Sequence, residues 1–223
     1  MVKTLDAFDF SEAPGLSRPR ILQLAQGDFL DRTENILAIG RVGTGKTHLL
    51  TALGVALCCS GRKVRFFTAA GLVNTLQEAQ ASHSLSRLEK FLDTFDLVIV
   101  DELGYVPFGK TGAELLFNFV ANRYERKSIA ISSNLEFSAW SRVLGEPQMT
   151  AAMVDRLTHH CQVLAMNWES FRFRHSQIDA TGMAGPGELP PSPRPKSRST
   201  RGHKKSESQT APVEPTQAEE EKS

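Results

Sequence analysis

Gly40-Arg41-Val42-Gly43-Thr44-Gly45-Lys46-Thr47 completes a G-x-x-x-x-G-K-T pattern, and the stretches on either side say how to read it. Ahead of it, Asn35-Ile36-Leu37-Ala38-Ile39 is a short apolar run that reads as a strand. Behind it, Thr47 to Cys59 reads as a helix, with Gly61 placed to stop it. A glycine-rich loop between strand and helix can wrap its amides around phosphate oxygens, with the helix N-terminus behind them. Lys46 is then placed to reach β- and γ-phosphates, and the Thr47 hydroxyl to ligate Mg²⁺. The expected nucleotide-binding set is Gly40, Arg41, Val42, Gly43, Thr44, Gly45, Lys46, Thr47 and His48. A dinucleotide loop fails on two counts. His48 stands where the third glycine of G-x-G-x-x-G belongs, and the next strand ends in Phe67 and Thr68 rather than an acid.

Working outward, short apolar runs keep alternating with helical patterns. Lys63 to Phe67 reads as a strand, Thr68 caps a helix through Gln80, and Phe95 to Val100 is a nearly continuous apolar strand. Thr111 to Arg126 is helical, Ser128 to Ser132 a strand, Ala151 to His160 a helix and Cys161 to Met166 a fifth strand. Such alternation predicts an α/β fold of the P-loop NTPase type, a parallel sheet sandwiched by helices. The expected organisation is a leading segment over 1–34, an ATPase domain over 35–179 and a tail over 180–223.

The strand Val98-Ile99-Val100 runs into Asp101-Glu102. An acid at such a strand tip holds Mg²⁺ beside a phosphate loop, which assigns Asp101 to the metal with Thr47, and Glu102 to polarising the attacking water. Asn134, just past the strand Ser128–Ser132, is a polar tip that can hydrogen-bond the water or the γ-phosphate.

Composition sets the surroundings. The 223 residues carry 26 Lys+Arg against 25 Asp+Glu, a net +1 that excludes a strongly basic nucleic-acid coat protein. Cys58, Cys59 and Cys161 fit neither a disulfide framework nor a zinc knuckle and read as idle thiols in a reducing compartment. Acids near the start argue against a signal peptide. The longest uncharged apolar run, Thr47 to Gly61, is short of the roughly 20 residues of a membrane span, so a cytoplasmic protein without a membrane partner is expected. From Ala180 onward no aromatic residue occurs and prolines concentrate, which predicts a disordered tail. The adjacent His159 and His160 have no third ligand at metal-binding spacing.

Several blocks together carry a resemblance. They include Gly43 to Leu49, Ala69 to Asn74, Asp101-Glu102-Leu103-Gly104-Tyr105-Val106-Pro107, Arg123-Tyr124-Glu125-Arg126-Lys127-Ser128 and Ser133-Asn134-Leu135. Asp155-Arg156-Leu157-Thr158-His159-His160 and Glu169 to Arg174 close the series. Over about Lys3 to Arg174 the chain resembles the IstB-like ATP-binding proteins, ATPase helpers of insertion-sequence transposases related to DnaC-like helicase loaders within the AAA+ ATPases. It departs at Arg41-Val42 and at Glu136, where relatives favour proline. It also begins almost at the ATPase core, where relatives carry a helical domain, which implies a shortened form.

The resemblance implies ATP and Mg²⁺ as cofactors, self-assembly into an oligomer on duplex DNA largely without sequence reading, and a cognate transposase as partner. It also implies that Arg156 acts as a finger on ATP held by a neighbouring subunit. Candidate DNA contacts are Arg62, Lys63 and Arg65, and Arg123, Arg126 and Lys127. The other readings are a DnaC-like helicase loader and an ATP-binding scaffold that does not hydrolyse.

Overall fold

A computed structural model describes residues 3–168. The expected tail over 180–223 and the block Glu169 to Arg174 lie outside the described residues. Five strands form one sheet: β1 (Asn35–Gly40), β2 (Val64–Thr68), β3 (Leu97–Leu103), β4 (Ser128–Ser133) and β5 (Cys161–Met166). Their order is β2-β3-β4-β1-β5, and every pairing is parallel. The helices between them are α1 (Arg18–Gln26), α2 (Asp28–Asp31), α3 (Lys46–Cys59), α4 (Ala69–Ala81), α5 (Leu85–Asp93), α6 (Lys110–Arg123), α7 (Ser141–Leu144) and α8 (Pro147–His159).

Alternation along the strands divides the core in two, because successive side chains point to opposite faces of a sheet. Ile36 and Ala38 of β1 and Ile99 of β3 pack with Leu49, Leu50, Leu53 and Leu57 of α3 and with Ile21 of α1. Leu37, Val98 and Val100 face the other way, against Leu72 and Leu76 of α4, Leu116 and Phe119 of α6 and Leu157 of α8. With both faces covered, the central strands are buried along nearly their whole length and apolar through their middles. The leading segment joins the first of these clusters through Phe8, Ala13 and α1, so it is built into the α3 side of the sheet.

The expected elements are present with shifted ends. β3 runs three residues past Val100 and so includes both acids. α6 stops at Arg123, because Tyr124 leaves the helical region and Glu125 takes φ +55°. α8 starts four residues earlier than expected, with Pro147 at its first position, where the missing N–H costs no hydrogen bond. Thr68 caps α4 as expected, its hydroxyl accepting from Gly71 N at 3.1 Å. α1, α2, α5 and α7 were not expected from the sequence.

One expectation is corrected here. Arg123 is only 1% exposed and cannot be a DNA contact. Its guanidinium donates to the carbonyls of Leu92 (2.9 Å), Phe95 (3.1 Å) and Ser128 (3.1 Å), tying the end of α5 to the start of β4. Burial pushes its pKa down to about 10, which leaves it a cation at neutral pH. Arg123→Met keeps the apolar stem but strands three carbonyls. The expected loss is about 3 kcal/mol of unfolding free energy in urea titrations. A change below about 0.5 kcal/mol would show that those carbonyls find other donors.

Candidate nucleotide site

Gly40 ends β1 and lies against Met166 of β5, its register partner. From there the chain turns back through Gly43 (φ +81°) and Gly45 (φ +89°) into α3, whose N-terminus therefore opens toward the loop. The Thr44 hydroxyl donates to Arg41 O at 2.9 Å and braces the turn. Lys46 is 8% exposed, and its Nζ donates to Gly40 O (2.7 Å) and Arg41 O (2.6 Å). The loop thus holds an ammonium group inside its own curve.

β4 lies between the strand that carries the loop and the strand that carries the acids. The N-terminus of α3 bridges this gap: the Thr47 hydroxyl donates to Asp101 Oδ1 at 3.1 Å. Ser132, at the tip of β4, donates to the same oxygen. Asp101 is 2% exposed and so joins three elements at one point.

Two successive acids on a regular strand would face opposite sides of the sheet. Here the β3–β4 register shifts between Val100 and Leu103, and Glu102 adopts φ +63°. A bulge of this kind re-aims side chains at the strand end. Glu102 N donates to Ser132 Oγ at 2.9 Å, which fixes the bulge, and the exposed Glu102 side chain then lines the same cavity as Lys46 and Thr47.

That cavity measures about 370 Å³. One wall is the loop from Gly43 to His48. The opposite wall is the leading segment, through Lys3, Phe8, Asp9 and Glu12. Phe8 meets His48 edge to face at 5.4 Å, and His48 Nε2 lies 3.3 Å from Thr4 O. The segment Asp6-Ala7-Phe8-Asp9-Phe10 shows aromatic anchors between acids, and that was the available signal for its place in the site. Ser132 gave no sequence signal, since a serine on a strand has many local uses.

Asn134 follows β4 as expected and packs against Gly104, just beyond the acidic pair. Its Oδ1 is buried and accepts no hydrogen bond, although it does not line the cavity. Arg156 is elsewhere. It lies in the last turn of α8, donates to Ala152 O at 2.7 Å and stacks its guanidinium 5.1 Å from the centre of the Phe117 ring. Within one chain the structure therefore brings Lys46, Thr47, Asp101 and Glu102 together, with Asn134 close by and Arg156 apart. Thr47, Asp101 and Glu102 offer hydroxyl and carboxylate oxygens, a donor set that suits Mg²⁺.

Of the remaining basic candidates, Arg62 pairs with Asp31 (2.7 Å), Lys127 with Asp96 (3.1 Å) and Arg126 with Asp93 (3.5 Å). Lys63 and Arg65 are exposed and have no acid at ion-pair distance among the described residues. Cys58 and Cys59 are exposed, whereas Cys161 is half-buried and its thiol is pushed up to about 12 by desolvation. Among the described residues no helix is long and apolar enough to cross a membrane.

The chain is similar to known proteins. The IstB-like ATP binding protein family matches residues 1–179. A protein of Sinorhizobium fredii named as an insertion sequence ATP-binding protein is 42% identical, over 80% of this chain and 60% of its own length. The ATP-binding protein of insertion sequence IS5376 from Geobacillus stearothermophilus is 38% identical, over 79% of this chain and 70% of its own. The chain thus spans about 60–70% of the length of these relatives. In structure it is similar to AMPPCP-bound DnaA from Aquifex aeolicus, with a TM-score of 0.63 and 19% identity over 85% of this chain and 57% of that one. It is also similar to the DnaC helicase loader, with a TM-score of 0.60 and 19% identity over 74% of this chain and 96% of that one. These two likenesses show a shared fold.

Proposed function

The chain belongs to the IstB-like ATP-binding protein family, and from that premise we propose that it is a Mg²⁺-dependent ATPase that assembles on duplex DNA and delivers target DNA to a transposase. The observation that carries this reading is the junction of Thr47, Asp101, Ser132 and Glu102 at the mouth of the loop holding Lys46. Phosphate oxygens would replace the Gly40 and Arg41 carbonyls as acceptors for the Lys46 ammonium. Amides of Gly43 to Thr47 and the N-terminus of α3 add positive potential around the same oxygens. Thr47 and Asp101 would hold Mg²⁺, which would supply positive charge to offset that of the phosphates. Asp101 is fixed for that task, because Thr47 and Ser132 already orient its carboxylate. Glu102 takes the proton of the attacking water, and Asn134, just beyond the acidic tip with its Oδ1 buried outside the cavity, orients that water only after its side chain turns toward the cavity.

Arg156 completes the site of a neighbouring subunit rather than its own. A guanidinium supplied in trans stabilises charge on the γ-phosphate only after assembly, so turnover depends on the oligomer. Lys63 and Arg65 are the proposed phosphate contacts to DNA, since they are exposed and have no acid at ion-pair distance among the described residues.

The test is steady-state ATP turnover of the full chain at several concentrations, with and without duplex DNA. Turnover per chain rises with concentration and with DNA, and Arg156→Ala lowers it about 100-fold while ATP still binds. Mixing Arg156→Ala with Glu102→Gln restores activity, because one chain supplies the base and the other the finger. Concentration-independent turnover with no restoration on mixing would overturn the role of Arg156 in trans.

A further inference from the structure

The adjacent histidines lack a third ligand in the sequence, and folding brings one to them. The chain leaves α6 at Arg123 and turns through Tyr124 and Glu125 before β4, and it leaves α8 at His159 and turns through His160 into β5. Both turns therefore lie at the edge of the sheet where strands begin, opposite the phosphate loop. There Glu125 Oε1 is 3.6 Å from His159 Nδ1, and the rings of His159 and His160 are 4.2 Å apart. One donor atom from each of the three residues lies within 4.8 Å of the others, and all three residues are exposed. They are the one such group of His, Cys, Asp and Glu among the described residues.

We infer that Glu125, His159 and His160 bind a transition-metal dication of the Zn²⁺ class, at a site separate from the nucleotide's Mg²⁺. Zinc bonds of about 2.0–2.2 Å to imidazole and carboxylate place tetrahedral donors roughly 3.3 Å apart. The His159–Glu125 pair, at 3.6 Å, is close to that separation, and a His160 donor lies within 4.8 Å of both. The competing reading, a simple ion pair, uses only two of the three residues and contributes little at an exposed position. It also leaves Glu125 in a left-handed conformation that non-glycine residues seldom adopt.

The Tyr124 hydroxyl lies 2.8 Å from His159 Nδ1, the nitrogen that also faces Glu125, so it holds the ring in place and must give way when that nitrogen takes the metal. Arg156 folds back onto Ala152 O and the Phe117 ring. Asp155, in the same helical turn, adds negative charge nearby. Two imidazoles select Zn²⁺, Co²⁺, Ni²⁺ or Cu²⁺ over Mg²⁺. Three protein ligands leave a position for water or an outside group. A bound ion would clamp the α6–β4 turn to the end of α8, one residue group beyond Arg156.

The test is calorimetric titration of the untagged full chain with Zn²⁺ alone, repeated in excess Mg²⁺, with Co²⁺ absorption reporting the geometry. One equivalent binds, Mg²⁺ does not displace it, and the Cys58→Ser/Cys59→Ser double variant binds equally well. Glu125→Gln and His160→Ala each weaken binding by more than the roughly 10–100-fold that loss of an outer partner costs. Unchanged ATP binding by both variants establishes that they are folded. Zn²⁺ affinity that is absent in the wild type, unchanged in Glu125→Gln and His160→Ala, or lost with the two cysteines would overturn the assignment.

Discussion

Glu102→Gln is expected to bind ATP within a few-fold of the wild type and to lose about 10²–10⁴ in turnover, the range a positioned general base contributes. The amide has the size and shape of the carboxylate but cannot accept the proton of the attacking water. Nothing else in the site should move. Lys46 is held by Gly40 and Arg41, Asp101 is held by Thr47 and Ser132, and the bulge is fixed through the Glu102 backbone N–H rather than its side chain. Equilibrium nucleotide binding and single-turnover hydrolysis separate the two effects. Normal hydrolysis would transfer the role of base to another group.

Glu102→Gly separates catalysis from strain. The left-handed conformation at Glu102 costs a non-glycine residue about 1–2 kcal/mol, and glycine adopts it freely. Extra freedom in the unfolded chain gives back about 0.5–1 kcal/mol. Stability should therefore hold or rise slightly while turnover is lost. A backbone strained at the one residue proposed as base fits a site where position outweighs stability.

What could be read from the residues follows from how local each signal is. The phosphate loop, the apolar strand before it and the acids Asp101-Glu102 sit in contiguous stretches whose chemistry needs that spacing. They place the nucleotide end of the sheet without any knowledge of strand order. Ser132 and Asp101 are 31 residues apart, and only the insertion of β4 between β1 and β3 makes them neighbours. Arg123 looked like one more cation in a basic run, because burial is a property of the packed α5–α6–β4 corner and leaves no local trace. Glu125 lies about 34 residues from His159, so two histidines read as an incomplete site. α5 was different: Leu85, Leu88 and Leu92 follow helical spacing after Ser84, and the signal was there to be used.

Gly40→Ala is expected to cost the most stability of any single methyl added to the chain, about 4 kcal/mol or more. A Cβ on Gly40 would overlap the carbonyl group of Met166 and stand 3.0 Å from its Cα. Those atoms are backbone and cannot rotate away. Met166 is fully buried, and Gly40↔Met166 is the last pair of the β1–β5 register, so relief requires the two strands to part. φ +154° at Gly40 adds a conformation that alanine rarely adopts.

Gly54→Ala is the comparison that tests this reasoning. A Cβ there would come within 2.8 Å of Ile99 Cδ1, the far end of a side chain, and Ile99 can change rotamer for about 1–3 kcal/mol. Denaturant titration should rank Gly40→Ala well below Gly54→Ala. Since marginal stability is typically about 5–15 kcal/mol, a loss of 4 lowers the melting temperature by about 10 °C or more in a chain of this size. The loop begins at the residue that is displaced, so ATP affinity should fall in Gly40→Ala even well below its melting point and stay near normal in Gly54→Ala. Equal stability losses in the two variants would mean that the β1–β5 seam yields easily, and the loop would then owe its shape to α3 alone.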